Sequence, residues 1–402
     1  LYGNTTSISQ GGLTESRIYD SHQNLCKIIR PETAQTLLNS NVLGEVQWSI
    51  EGFNSSAISC ESTASASNKA SFAYDNWGSI KTIDYADNTP DVWYGRDAQG
   101  NVLFAKTGTL TAGAIMSPTT QWSYAYNTLN LIESETLLVD GLTFTVNPEY
   151  NAFGQVSGLT YPSGLSISTN PNALGLSRSA GSYASNANYH PNGLLKSFSY
   201  GNGITFNQTL DAERRPDIVS IAGSALYLDY NYDGNNNVSG ISSNDAQFSV
   251  SGLNYDGLDR LNSANGIWGS GSFTYDSLSN IKTQTIGANS YVYAYDANNR
   301  LNSVSGNINK SLVYDARGNL IRNGFQGLTF NAANEMVNSN GANYLYDANH
   351  RLVRKTIGGT ATYSIYDASG NLTSQYKSGV YTDFVSIGKK AIAKKTGNTV
   401  TY

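Results

Sequence analysis

The chain has 402 residues, of which 14% are charged, with 28 Tyr, 39 Gly and a formal net charge of −5. Helix-favouring charged residues are scarce while Asn, Ser, Thr and Gly abound, which points to β-structure with many turns and away from a helical bundle. No apolar run reaches the roughly 18 residues of a membrane helix, and the mildly acidic balance carries no basic footprint for nucleic acid.

One short phrase returns from end to end. Degenerate copies start at Tyr19 (YDSHQNL), Ser40 (SNVLGEV), Tyr74 (YDNWGSI), Arg96 (RDAQGNV), Tyr126 (YNTLNLI), Tyr150 (YNAFGQV), Pro171 (PNALGLS), Tyr189 (YHPNGLL) and Leu210 (LDAERRP). An irregular insertion near 27–70 breaks the rhythm. Within it, residues 30–38 carry Pro31 and Glu32 early and Leu37 and Leu38 late, which predicts one or two helical turns with Pro31 at the first position. Residues 55–70 are rich in Ser and Ala without a period and predict a long surface loop. From Tyr232 the copies tighten: YDGNNNV, YDGLDRL, YDSLSNI, YDANNRL, YDARGNL, FNAANEM, YDANHRL and YDASGNL follow at steps of 16 to 23 residues. Such a recurrence is the signature of a repeat architecture. It predicts one continuous body with a degenerate part, 1–225, and a regular part, 226–402, where length alone would suggest two or three domains. The chain opens at Leu1 inside a repeat-like YGN and closes at Tyr402 in a strand-like run, so we read it as a piece of a longer polypeptide.

Each unit has two extended runs around a polar loop. Tyr291, Tyr293 and Tyr295 fall on one face of a strand and Val292 and Ala294 on the other, a period of two. Counting the first aromatic as position zero, the regular units place Tyr232, Tyr255, Tyr275, Tyr295, Tyr314, Phe330, Tyr346 and Tyr366 there. Position one is Asp233, Asp256, Asp276, Asp296, Asp315, Asn331, Asp347 and Asp367. Position four is Asn236, Asp259, Ser279, Asn299, Gly318, Asn334, His350 and Gly370, mostly types that tolerate positive φ. After an Asp or Asn able to bond the backbone ahead, such a residue closes a short hairpin. Position six, always Val, Leu, Ile or Met, should return a side chain to the face of position zero. The fold expected is all-β: repeated hairpins side by side in a curved antiparallel sheet.

YDxxGNL and YDxxxRL at this spacing resemble the YD repeats of Rhs (rearrangement hotspot) proteins. The same repeats occur in the C components of insecticidal toxin complexes, in bacterial wall-associated proteins and in teneurins. The resemblance covers nearly the whole chain and is tighter after residue 225. It implies a sheet that spirals into a hollow shell, bacterial and secreted or at the cell surface, enclosing a C-terminal effector or toxin. The terminal DPxG-type processing motif and the variable effector domain of that family are absent from this chain, so the effector would lie after Tyr402.

Residue types able to do chemistry are sparse. His22 and His350 fall in hairpin loops, and His190 replaces the repeat Asp after Tyr189. Tyr189, His190 and Arg215 supply the base, acid and cation that elimination from a uronic acid needs, although their spacing does not show that they converge. No Cys-x-x-Cys or paired His supports zinc, and the Asp-x-x-Gly-Asn turns lack the dense carboxylates of a calcium loop. No metal or cofactor is expected. Asp211, Glu213, Arg214 and Arg215 read as a local solvated ion-pair set. Lys389, Lys390, Lys394 and Lys395 read as an exposed Lys edge strand, with an anionic-glycan or membrane patch as the other reading. Cys26 and Cys60 flank the irregular region, either as thiols or as a disulfide closing it. The Tyr at position zero reads as a packing ladder able to meet either a cavity or a contained chain. Three functions follow. The chain is a shell segment whose partners are the rest of its own polypeptide and an enclosed effector; or a surface adhesin binding glycan or protein; or a polysaccharide lyase acting on a uronic-acid polymer.

Overall fold

Alternation of bulky and small side chains along short runs, punctuated by Asp, Asn and Gly, folds here into strand after strand. The structure, a computed structural model, describes residues 3–222 and 225–402; Leu1 and Tyr2, the opening of the YGN phrase, lie outside it. Among the described residues there are 37 strands and a single 3₁₀ turn, Ala246–Phe248, capped by the Asp245 side chain. Every sheet is an antiparallel meander in which strand order follows chain order, and none closes on itself.

Hairpin register follows the repeat. Position zero sits directly opposite position six: Tyr232 on Val238, Tyr255 on Leu261, Tyr275 on Ile281, Tyr346 on Leu352 and Tyr366 on Leu372. The second strand then carries one extra residue immediately after position six, a bulge that recurs from hairpin to hairpin. Because side chains alternate with a period of two, this fixed pairing keeps every zero and six on one face.

Two compact units divide the contacts. The first comprises Leu1–Val146, Ala294–Ser303 and Lys310–Gly379. In it, turns of later repeats lie on strands of earlier ones. Trp122, Leu137, Phe144 and Val146 are buried, and the Phe144 ring meets Tyr363 and Tyr376 at 5.7 and 5.4 Å. The second comprises Asn147–Tyr293, Val304–Asn309 and Val380–Tyr402. Its core joins Tyr161, Ile167, Phe198 and Phe206 to Val385, Ile387 and Ile392. There the Tyr161 hydroxyl donates to the Phe384 carbonyl (3.1 Å) and the Ser163 hydroxyl to Asp383 (2.7 Å).

The helical turns expected over 30–38 are absent. Gln35–Ser40 is a strand paired with Leu25–Ile29 on one side and Val46–Phe53 on the other. Leu37 is fully buried against Trp48 and Ile50. Burying one such side chain is worth roughly 1.5–3 kcal/mol, more than the local preference conferred by Pro31 and Glu32. The Ser/Ala segment is a loop from 54 to 68 that enters the strand Lys69–Tyr74. It is more than surface: Ala64 and Ala66 pack against the Leu37–Trp48–Ile50 cluster. Cys26 and Cys60 are joined in a disulfide, with Cα atoms 5.5 Å apart. The Lys-rich strand Lys390–Thr396 is not an edge. It pairs with Val380–Ile387 and also with Thr399–Thr401, and the Lys390 ammonium sits 4.5 Å from the Phe206 ring centroid.

Candidate functional site

The YD turns are where the polar side chains of this chain concentrate, and their geometry repeats. In the turn after Tyr232, the Asp233 Oδ1 accepts the backbone N–H groups of Asn235 and Asn237 at 2.8 and 2.9 Å. The backbone closes the same loop, Asp233 N–H to the Asn237 carbonyl and Asn236 N–H to the Asp233 carbonyl. Position four is thereby forced into the left-handed region: φ is 70° at Asn236, 56° at Asp259, 69° at Ser279, 62° at Asn299, 87° at Gly318, 59° at Asn334 and His350, and 84° at Gly370.

The other oxygen of position one is bonded by position five, a pairing that the repeat template left unread. Asp256 holds the Arg260 guanidinium at 2.7 Å, Asp296 holds Arg300, and Asp347 holds Arg351 at 2.8 Å; Asp276, Asp315 and Asp367 hold the amides of Asn280, Asn319 and Asn371 at 2.9–3.0 Å. In three of the five units with Asn at position one the polarity reverses, while Asn127 and Asn172 have Leu131 and Leu176 at position five. The Asn41, Asn151 and Asn331 amides donate to Glu45, Gln155 and Glu335 at 2.7–2.8 Å. A carboxylate has only acceptors, whereas an amide whose oxygen is occupied has only donors left. Covariation between positions one and five within the chain was the available signal. The Arg260 guanidinium holds the Asp256 carboxyl below its usual range.

Position zero is tied to the preceding unit. The hydroxyls of Tyr74, Tyr126, Tyr189, Tyr232, Tyr255, Tyr275, Tyr314, Tyr346 and Tyr366 donate at 2.6–3.0 Å to the carbonyls of Val46, Val102, Ser177, Pro216, Val238, Leu261, Leu301, Met336 and Leu352. Each acceptor is position six of the unit before. Arg at position five adds a second tie by lying over the next Tyr ring: Arg215 on Tyr232 at 4.0 Å, Arg260 on Tyr275 at 4.6 Å and Arg351 on Tyr366 at 5.4 Å.

In the first unit the turns also dock. Five consecutive regular repeats have Ala at position two, and in the last four its backbone is bonded to an earlier strand or bend. Ala316 accepts from Ala34 N–H (2.7 Å), Ala332 donates to Thr89 Oγ1 (2.8 Å), Ala348 accepts from the Tyr94 hydroxyl (2.6 Å), and Ala368 N–H is bonded to Glu135. Trp122 Nε1 donates to Asp347 at 2.7 Å. Glu135 lies in this seam, 3% exposed, with Oε2 making no hydrogen bond. Burial pushes its carboxyl up to about 7, opposed by the Ala368 amide and Arg351.

The sequence-derived catalytic candidates each have a separate partner. Tyr189 donates to the Ser177 carbonyl, His190 Nε2 lies 2.9 Å from the Gln208 carbonyl oxygen, and Arg215 grips Asp211 at 2.7 Å while reaching Asn236 of the next turn at 2.6 Å. Tyr189 and His190 line an open hollow with Arg178 and Asn192, and Arg215 is not part of that lining. Arg214 is a position-four residue at φ 66°. His350 Nδ1 lies 2.8 Å from a Glu335 oxygen, and that carboxylate raises the imidazole above its ordinary value. Among the described residues, no three His, Cys, Asp or Glu side chains gather as a metal would need, and no helix is long and apolar enough to cross a membrane.

Comparison with known proteins bears on this arrangement. Residues 264–387 match a family model described as the teneurin YD-shell. A search of curated proteins gave no match. The chain is similar in structure to the Photorhabdus luminescens Tc holotoxin pore, with TM-score 0.58 and 12% identity over 96% of this chain and 23% of that one. It is likewise similar to a TcdB2–TccC3 crystal structure, with TM-score 0.55 and 13% identity over 96% of this chain and 24% of that one. At these identities the likeness is one of fold, and the chain spans about a quarter of the length of the structures it matches.

Proposed function

We propose that this chain is a member of the Rhs and YD-repeat family and that it is a segment of shell wall, enclosing rather than reacting. The observation that carries the reading is the pairing of the turns' polar groups with one another. The carboxylate of position one is bonded by two amides and position five, and the phenol of position zero by a neighbour's carbonyl. Side chains so committed to one another define geometry. On this reading the division into a degenerate part, 1–225, and a regular part, 226–402, is one of repeat regularity within a continuous wall. The partner is the remainder of a longer polypeptide, with an effector beyond Tyr402, exported to the cell surface or outside the bacterium.

Two measurements test it. Fused to the polypeptide that follows it, the wall should protect that segment from added protease until the wall is denatured; equal digestion in the folded state overturns enclosure. The purified chain should be inert on polysaccharide, peptide and nucleic-acid panels, and reproducible turnover abolished by His190→Ala would promote the lyase. A second reading, adhesion, is favoured by apolar side chains exposed on turn tips, Trp77 and Leu129 in one unit and Phe153 and Leu174 in the other. Saturable binding on a glycan array that Trp77→Ala and Phe153→Ala remove would support it.

A further inference from the structure

The segment 54–68 belongs to no strand, yet it crosses an apolar cluster. Leu37 and Ile50 beneath it are fully buried, and Ala64 and Ala66 supply its contact with them. A backbone turn bond from Lys69 to the Ala66 carbonyl closes its C-terminal end. Near that end the Asn68 amide also donates to the Glu51 carbonyl and Lys69 Nζ to the Ala64 carbonyl at 3.2 Å, and the remaining fastenings gather at one point. Cys60 is bonded to Cys26, and the next residue of that strand, Lys27, has a fully buried side chain whose Nζ donates to the Ala57 carbonyl (2.9 Å) and to Glu61 (2.7 Å). Gln35 Nε2 reaches the Ser55 carbonyl at 2.7 Å, while Gln35 Oε1, also buried, bonds to nothing. A strap without ladder hydrogen bonds, seated on an imperfectly satisfied site, draws its local stability from a few pins. The one covalent pin is a disulfide, and these are the only cysteines in the chain.

We propose that 54–68 is a reducible lid: a soluble dithiol that cleaves Cys26–Cys60 frees it and opens the Leu37–Trp48–Ile50 strip to solvent. Cys26 is buried and Cys60 is partly exposed, so the incoming thiolate attacks the Cys60 sulfur. The Cys26 sulfur departs as thiolate and takes up a proton. The second thiol of the reagent then displaces the Cys60 sulfur, which is also protonated. The reagent ends as its own disulfide, and two electrons have passed to the protein. Without the covalent pin, the strap is held only by the Lys27 bonds to Glu61 and Ala57, the Gln35 bond, the hydrogen bonds at its C-terminal end and the Ala64 and Ala66 contacts. Lys27 is fully buried and Glu61 partly exposed, so the pair holds only while the strap keeps water from Lys27. Departure of the strap leaves Lys27 without its counter-charge but able to reach water, so opening does not strand a buried charge.

The test is limited digestion of the whole chain by a protease of broad specificity, with and without dithiol, with cut sites mapped by mass. In the oxidised chain, 54–68 should resist. On reduction, cleavage inside it should rise about tenfold or more while other sites and the far-ultraviolet circular dichroism stay unchanged. Glu61→Gln should accelerate cleavage in the reduced chain and change little in the oxidised one. Cys26→Ser with Cys60→Ser should be cut rapidly in either condition; should that variant not fold, the comparison on the native chain decides alone. Equal cutting in both redox states, two free thiols in the untreated chain by intact mass, or faster cutting everywhere on reduction would each overturn the lid.

Discussion

Position four concentrates the backbone strain of the repeat. At Gly318 and Gly370, φ is 87° and 84°, a region that costs a β-branched residue roughly 1–2 kcal/mol. A Cβ at Gly318 would also stand 3.1 Å from Thr33 Cγ2, while Gly370 faces open space. Gly318→Val should therefore destabilise more than Gly370→Val, and each by more than about 1 kcal/mol in denaturant titrations; unchanged midpoints would refute the turn geometry. These turn positions were legible because αL tolerance is a property of residue type. Glu135 was not: nothing around it in sequence says that a distant turn will cover it. Its folded-state carboxyl, pushed up to about 7, binds a proton that the unfolded chain binds only below about 4.5. Folding stability should accordingly fall as pH rises through that window, by roughly 3 kcal/mol from this group. Glu135→Gln should flatten that slope, and an identical slope in the variant would show that Glu135 is not its source.

A hairpin is specified by pairs. The donor of one position answers the acceptor of another four residues on, as in Asp256 with Arg260 or, reversed, Asn41 with Glu45. Replacing Asn41 by Asp sets two carboxylates against each other and should cost about 1 kcal/mol; adding Glu45→Asn should restore it. A double-mutant cycle with no coupling would remove the pairing rule. Strand against helix at 30–38 shows the converse limit. Pro31 and Glu32 are local signals, but Leu37 gains more from a core built by Trp48 and Ile50 than from any local turn. The Lys strand was misread for a similar reason, since Thr399–Thr401 is too short to announce itself beyond it.

At the scale of the molecule, the periodic spacing of aromatics and turns made the meander readable, because each strand pairs with its neighbours in sequence. The docking of Ala316, Ala332, Ala348 and Ala368 was hidden, since small residues at position two have no chemistry of their own and work through backbone groups. The bond from each Tyr hydroxyl to a backbone carbonyl has a further consequence. A carbonyl is the same in every residue, so any unit can follow any other, and one unit contributes two strands, which preserves the alternation of direction. Deleting 255–274, one whole period from Tyr255 to Tyr275, would present the Tyr275 hydroxyl to the Val238 carbonyl that now receives Tyr255. The shortened chain should fold with unchanged strand signature by circular dichroism and a cooperative melt, and aggregation would contradict that. Interchangeable joints of this kind let a gene lengthen, shorten or shuffle its array by unequal crossing-over without a frustrated intermediate, so array length becomes a heritable variable separate from turn chemistry.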